Sequence, residues 1–224
     1  WCPYNGEPNS QKPGYLIELM EVVFHPLGYS IDYQLVPWQR ALDLTAEGKT
    51  DAAVGAVQGN HGNTIIGNES LGSDETVFVV KEEKSFTYEG INSLSPLRLG
   101  FISNYTYDNN GPIDQYLHDR LATGDNIITV HNSKPLKSLF LMLNADRIDA
   151  FPENKYVAEF MAMNTSQAEE YQFISSNSGD DVFVAFSPTT RGKQLCKMLD
   201  QAVARMKRDG SLAALQARYG ISSE

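Results

Sequence analysis

Gly62 and Gly67 in "GNTIIGN" have the spacing of a phosphate-cradling loop, in which backbone N–H groups wrap the anion and a lysine follows the second glycine. Here Asn68 follows it, so the loop lacks the cation that this chemistry needs. Histidine chemistry is no better supplied. His25, His61, His118 and His131 are scattered, no H-E-x-x-H pair sets two imidazoles on one helix face, and no G-x-S-x-G turn presents a serine nucleophile. Cys2 and Cys196 stand far apart, with no C-x-x-C and no histidine at metal-ligand spacing, which excludes zinc and thioredoxin-type readings. No metal and no cofactor is expected. The two thiols are either both buried or joined in one disulfide tying the N-terminus to a late helix, and the bond is the expectation for an exported protein.

The elements that must position any remaining site are legible in the apolar spacing. Leu16, Leu19, Met20 and Val23 recur at helical intervals in "GYLIELMEVVFHPLG", which Pro26 and Gly28 close. "YSIDYQLV" alternates and predicts a strand. "QRALDLTAEG" predicts a helix stopped by Gly48, and "DAAVGAV" a strand. Together these make β-α-β, the unit of a parallel sheet with helices on its faces. The stretch from Gln58 to Ser73 is rich in Gly and Asn and reads as loop. A second series follows, with strands in "ETVFVVKEE", "LRLGFIS", "NIITVH", "IDAFP", "YQFISS" and "DVFVAFSP". Its helices are "GPIDQYLHDRLATG", "KPLKSLFLMLNADR", "NKYVAEFMAMN" and a closing run broken at Gly210.

One phrase is written twice. "VPWQRALDLTAEGKTDAAVG" and "SKPLKSLFLMLNADRIDAFP" place Pro37 and Pro135 the same distance before the pairs Asp51-Ala52 and Asp149-Ala150, with Lys49 and Arg147 two positions ahead of each pair. The repeat predicts two similar α/β lobes. Residues after such strands lie at the carboxyl ends of parallel strands, where open α/β sheets bind ligands. Two such ends facing each other would make a cleft.

Composition sets the outer bounds. The chain's 224 residues suffice for two domains of roughly 100 residues each. Its 42% apolar and 21% charged content is that of an ordinary soluble globule. A net charge of −10, without any Lys/Arg-rich run, argues against a nucleic-acid partner. No apolar run approaches the ~18 residues of a membrane span, and no charged-then-apolar leader opens the chain. A cytosolic protein and an already processed exported one both fit.

Four pieces in order resemble the bacterial extracytoplasmic solute-binding proteins of the polar amino-acid transport type. They are the aromatic-Pro turn and helix of "WCPY…KPGYLIELMEVVFHPLG", the element "PWQRALDLTAEGKTDAAVG", the second-lobe start "LRLGFISNYTY" and the closing "RMKRDGSLAALQARYG". The resemblance covers nearly the whole chain. It implies an α/β clamp of the type II periplasmic binding protein fold, with lobe 1 formed by residues 1–80 and 184–224 and lobe 2 by residues 81–183. Two strand crossings near Phe78 and Phe183 would form the hinge, and the closing helices would pack on lobe 1. The family pattern has a strand ahead of the aromatic-Pro turn, where this sequence opens at Trp1, so that strand is expected to be missing from the numbered chain.

The resemblance also suggests a ligand set. Trp1 and Trp38 match positions where family members set rings against the solute, and Tyr4, Tyr105 and Tyr107 would complete aromatic walls. Gln58 falls where a lobe-1 hydroxyl often meets the ligand carboxylate, and Asn104-Tyr105-Thr106 falls on an anion-binding nest whose following helix start would attract an anion. The family's carboxylate-binding Arg is replaced by Asn63, which leaves Arg40 as the candidate cation. Its amine-binding acid is replaced by Asn154, with Glu153 beside it.

A non-catalytic periplasmic protein that closes on a small polar solute and passes it to the membrane permease of an ABC importer is the leading expectation, acting as a monomer. The alternatives are the extracytoplasmic sensor domain of a receptor kinase or cyclase and, less favoured, a dehydratase-like enzyme with Glu153 as general acid or base.

Overall fold

The computed structural model describes residues 1–103, 105–132, 134–164 and 168–222. They form two compact units, one of Trp1–Ser73 with Asp181–Glu224, the other of Asp74–Asp180. The chain therefore passes from one unit to the other at Ser73/Asp74 and returns at Asp180/Asp181. Phe78 falls within the second unit and Phe183 within the first.

Unit 1 begins with α1 (Tyr15–Phe24), whose buried face carries Leu16, Leu19, Met20 and Val23. Helix α2 (Trp38–Ala46) runs into strand β1 (Ala52–Val57). The short β2 (Ile65–Ile66) pairs antiparallel with the end of the long β7 (Tyr171–Phe186), as does β1. The β1 register sets Ala52 opposite Phe186, Ala53 opposite Ala185 and Val54 opposite Val184, and then shifts before Ala56. Gly55, at that irregularity, has φ 93°, a conformation in which a Cβ is strained. Unit 1 closes with α6 (Thr190–Asp209) and α7 (Ser211–Ala217), separated by Gly210 in the left-handed region. The Thr189 side chain caps α6 by accepting from the Gly192 N–H, one of the donors a helix start leaves unsatisfied.

The strand predicted over "YSIDYQLV" does not form: residues 29–37 have no regular structure and no ladder partner. The predicted alternation is present all the same. Tyr29, Ile31 and Tyr33 are half-buried while Ser30, Asp32 and Gln34 are exposed. An alternating segment becomes a strand only when a neighbour supplies its hydrogen bonds.

The expected disulfide is also absent. Cys2 and Cys196 are both free, and both lie in unit 1. Cys196 sits among Leu195 and Leu199 on the buried face of α6, where burial pushes its thiol up to about 11. It packs as a small apolar group, and a thiolate is disfavoured there.

Unit 2 is built on β3 (Ser73–Lys81), which pairs antiparallel with β6 (Phe151–Asn154). β4 (Leu99–Ile102) and β5 (Ile127–Val130) pair in parallel, and Leu99 bridges Ala150 at the start of β6. Helices α3 (Pro112–Thr123), α4 (Pro135–Asn144) and α5 (Lys155–Asn164) connect these strands. One apolar cluster gathers Val77, Val79, Leu139, Phe140 and Phe151; another gathers Phe78, Val80, Leu99, Ile113 and Leu117. Because β3 alternates, its two faces feed these two cores in turn. The two strands predicted in "YQFISS" and "DVFVAFSP" are one continuous β7. Ser175 Oγ donates to Glu75 Oε1 at 2.7 Å and Ser176 Oγ to Thr76 O at 2.7 Å, so the serine-rich middle of β7 is tied to β3.

Candidate functional site

The end of β6 carries a buried polar cluster. Asn154 is buried and serves two neighbours: its Oδ1 accepts the Val157 N–H at 3.0 Å, capping α5, and its Nδ2 donates to Asp74 Oδ1 at 2.7 Å. Glu153, only 2% exposed, accepts its own neighbour's Asn154 N–H at 2.9 Å and the Tyr105 hydroxyl at 3.3 Å. Burial raises the Glu153 carboxyl to about 7, and the charge of Asp74 adds to the effect. Asp74 itself is raised to about 6, again chiefly by burial, against the opposing hydrogen bond from Asn154. Among the described residues no ion pair reaches either acid; Lys155, next in sequence, turns to Glu75 at 3.3 Å. Two desolvated carboxyls held close together form an arrangement that a positively charged group would stabilise.

Asp74 had no signal in the sequence. It lies in "GSDETV" at the start of a strand, where an acid is unremarkable, and only the pairing of β3 with β6, Thr76 opposite Asn154, brings it to Glu153.

Of the other residues expected in this unit, Tyr107 is a core residue. It is 5% exposed, accepts the Ile102 N–H on its hydroxyl at 2.8 Å and receives the Thr76 hydroxyl on its carbonyl. Tyr105 is half-buried with its ring 5.1 Å from that of Tyr107, and Thr106 is half-buried beside it. Asn104 lies outside the described residues. The anion nest expected at the following helix start is already filled. Asp108 accepts the N–H groups of Ile113 at 2.7 Å and Asp114 at 3.0 Å, and Asp114 in turn accepts those of Tyr107 at 2.9 Å and Asn110 at 2.8 Å. The chain's own carboxylates take the donors that an anionic ligand would use.

In unit 1, Trp1 stacks on Tyr4 with centroids 4.3 Å apart, and a Cβ on Gly55 would come within 3.1 Å of the indole. Tyr4 is fully buried and its hydroxyl donates to Ser73 O at 2.6 Å, so it supports Trp1 from below and offers no wall of its own. Trp38 opens α2 and is 38% exposed, and Arg40 and Gln58 are exposed. The structure thus joins Trp1 to Tyr4 in unit 1, and Tyr105 to Tyr107, Glu153 and Asn154 in unit 2. Among the described residues, no ring contact or hydrogen bond joins Trp38 or Arg40 to either group.

Among the described residues no helix is long and apolar enough to cross a membrane. The family described as bacterial extracellular solute-binding proteins, family 3, matches residues 1–222. Comparison with curated protein sequences finds no match. Solved structures share the fold. A histidine kinase sensor domain with similarity to periplasmic binding proteins has a TM-score of 0.76 at 15% identity, covering 100% of this chain and 94% of its own. The substrate-binding protein of an amino acid ABC transporter has 0.70 at 13% identity, covering 98% and 94%. An ancestral amino acid-binding protein, a precursor of cyclohexadienyl dehydratase, has 0.71 at 14% identity, covering 98% and 90%. The fold is that of the type II periplasmic binding proteins.

Proposed function

The chain belongs to the bacterial extracellular solute-binding proteins, family 3, and from that premise we propose that it binds a small solute carrying an amino group and delivers it to an ABC importer outside the cytoplasm. The observation that carries this reading is the Asp74–Glu153 pair, a half-buried and a buried carboxyl both raised toward neutrality by desolvation. An ammonium group of a solute would hold both carboxyls in their charged form. Tyr105, which donates to Glu153, would orient it. Trp1, Trp38, Arg40 and Gln58 are the unit 1 candidates for the rest of the solute; Trp38 and Arg40 keep exposed side chains and so remain available to it.

A thermal-shift screen of amino acids, amines, small acids and peptides, followed by calorimetry, tests the reading. A true ligand at 100 times its Kd should stabilise by about 2.7 kcal/mol. Glu153→Gln should weaken an amine ligand by more than tenfold, and Trp38→Ala should cost ~1–3 kcal/mol of binding. If the solute that binds has no amino group and Glu153→Gln binds it like wild type, the reading is wrong.

The three structural relatives transport, sense and foreshadow catalysis, so role needs its own test. Delivery requires that deleting the gene abolish uptake of the solute. Sensing would leave uptake intact and abolish a signalling response. Catalysis, for which a carboxyl near pH 7 is the group an enzyme would use, would show as conversion of the solute; binding alone returns it unchanged.

A further inference from the structure

Helix α6 collects basic side chains in a chain whose net charge is −10. Arg191, Lys193, Lys197, Arg205, Lys207 and Arg208 all lie on it and are exposed. Arg191 is paired with Asp51 at 2.7 Å and Lys207 with Glu69 at 2.8 Å, both within unit 1. Among the described residues no ion pair or side-chain hydrogen bond reaches Lys193, Lys197, Arg205 or Arg208. The acids of the helix itself are already engaged. Asp200 accepts the N–H groups of Asn68 at 3.0 Å and Glu69 at 3.2 Å. Asp209 accepts the Ser211 N–H at 3.0 Å and hydroxyl at 2.6 Å, and the charges of Arg205 and Arg208 act on it from beyond pairing distance.

At roughly 100° per residue, the four unpaired cations fall within about 60° of the line opposite the buried face centred on Leu199. They form one outward stripe. The helix dipole accounts for Arg208, which stands in the last turn. It does not account for Lys193, in the first turn, where the dipole disfavours a cation; Lys197 then sets a like charge four residues on, which weakens a helix. An anion outside the helix would relieve both costs. Spacing decides what kind of anion. Along the axis the four cations are separated by ~6, ~12 and ~5 Å, too far apart to converge on a single phosphate. The stripe runs ~22 Å along the helix, a length suited to an extended anionic surface. Gln194 and Gln201 lie among the cations, and among the described residues no large apolar side chain of α6 is exposed, so the face holds charge and nothing that would insert.

We propose that the outward face of α6 rests on an anionic lipid surface, with Lys193, Lys197, Arg205 and Arg208 set among the headgroup phosphates. Each basic residue held at such a surface contributes about fivefold in affinity. The attraction fades beyond a Debye length of ~10 Å at 0.1 M salt, so the contact is reversible and salt-sensitive. The acidic excess of the chain does not cancel it locally. Unit 2 holds twice as many acidic as basic residues, whereas the two are nearly balanced in unit 1, which carries the stripe. The inference is independent of the solute and of the proposed function.

The test is cosedimentation of the whole chain with vesicles of phosphatidylglycerol and phosphatidylcholine in equal parts, and with vesicles of phosphatidylcholine alone. The protein should bind the anionic vesicles at about 50 mM salt, leave them at about 500 mM, and ignore the neutral ones. The fourfold variant Lys193→Gln, Lys197→Gln, Arg205→Gln, Arg208→Gln should bind at least a hundredfold more weakly with an unchanged melting temperature. Should that variant fail to fold, Lys193→Gln with Lys197→Gln alone should lose about twenty-five-fold. Replacing Lys134, Lys137 and Arg147 of unit 2 by Gln shifts the net charge in the same sense and should change binding by less than about threefold. Absence of binding to the anionic vesicles, or a stripe variant that binds like wild type, overturns the proposal. An equal loss in the unit 2 variant does so too, since net charge alone would then govern binding. So does a DNA duplex bound at the same salt more tightly than the vesicles, which would make the stripe a nucleic-acid surface.

Discussion

The two copies of the helix-to-strand phrase end in different surroundings. β6, after Asp149-Ala150, has β3 paired along it and Leu99 bridged to Ala150 on its other side. β1, after Asp51-Ala52, is paired with β7 on one side and borders a cavity on the other. The matched positions differ as well. Where the first strand has Gly55 and Ala56, with an indole over the glycine, the second has Glu153 and Asn154, both buried and hydrogen-bonded. The starting aspartates differ in degree. Asp149 accepts Arg98 Nε at 2.9 Å and Nη2 at 3.0 Å, together with Lys84 Nζ at 3.2 Å. Asp51 accepts the Arg191 fork, at 2.7 and 3.1 Å, and is more exposed. The same local wording therefore yields the same local structure, while its neighbours decide whether the strand end becomes a polar site or packing.

The largest expected effect is at Glu153. Its folded-state pKa of about 7 lies above the ordinary 4.5, so the folded protein holds a proton that the unfolded chain has released. Stability should be greatest below pH 4.5 on this account and fall as pH rises to about 7. Glu153→Gln should remove that slope and raise solute-free stability at pH 8 by roughly 2–4 kcal/mol, the linkage value of a shift of this size. Chemical denaturation at pH 5 and pH 8 would show it; parallel slopes in the two proteins would contradict it.

Next comes the aspartate pair. Asp149→Ala should cost about 1.5–3 kcal/mol, as charge-assisted bonds do when one partner is lost, and Asp51→Ala at most about 1 kcal/mol, as exposed ion pairs do. Arg98 holds the Asp149 carboxyl well below the usual carboxylate range. Its contribution is therefore complete above the ordinary pKa of 3.8 and disappears only as pH falls through the depressed value. Equal losses for the two variants in urea would erase the contrast.

Gly55→Ala should destabilise by about 1–2 kcal/mol, since φ is positive there and the new methyl meets the Trp1 ring. Loss of Trp1 fluorescence quenching or a shift in its emission would report the displaced indole. The smallest effect concerns the thiols: with both cysteines free, adding reductant should leave the melting temperature unchanged. A reductant-dependent drop would restore the disulfide.

Much of the fold was legible because its signals are local. The helices over Pro112–Thr123 and Thr190–Asp209 carry their own start and stop residues, Pro112 with Gly124 and Thr189 with Gly210. What failed was what depends on a distant partner. Residues 29–36 show the right period without the neighbour that turns period into strand. The serines and Asn177 in "ISSNSGD" look like a loop until β3 supplies Glu75 and Thr76 to bind them. The candidate site divided in the same way. Glu153 and Asn154 are candidates through the family resemblance alone, whereas Asp74 is visible only through strand pairing. Tyr4 and Tyr107 match the aromatic pattern of the resemblance yet are buried, since residue type does not distinguish a buried tyrosine from an exposed one. The disulfide rested on compartment chemistry, which says nothing of where a helix points its sulfur.

The division of the chain also sets an order of events during synthesis. Unit 2 is continuous in sequence from Asp74 to Asp180, so it can fold as soon as it has emerged. Unit 1 cannot: Ala53 must wait for Ala185, its partner across the ladder, to be made. At ~5–20 residues per second that wait is roughly 7–26 s, long compared with the folding of an ordinary domain. For that interval β1, α1 and α2 are translated but lack β7. Of the two units, the one whose first part is made earlier is thus the last to be completed, and factors that shield nascent chains would meet a long-lived target in residues 1–73.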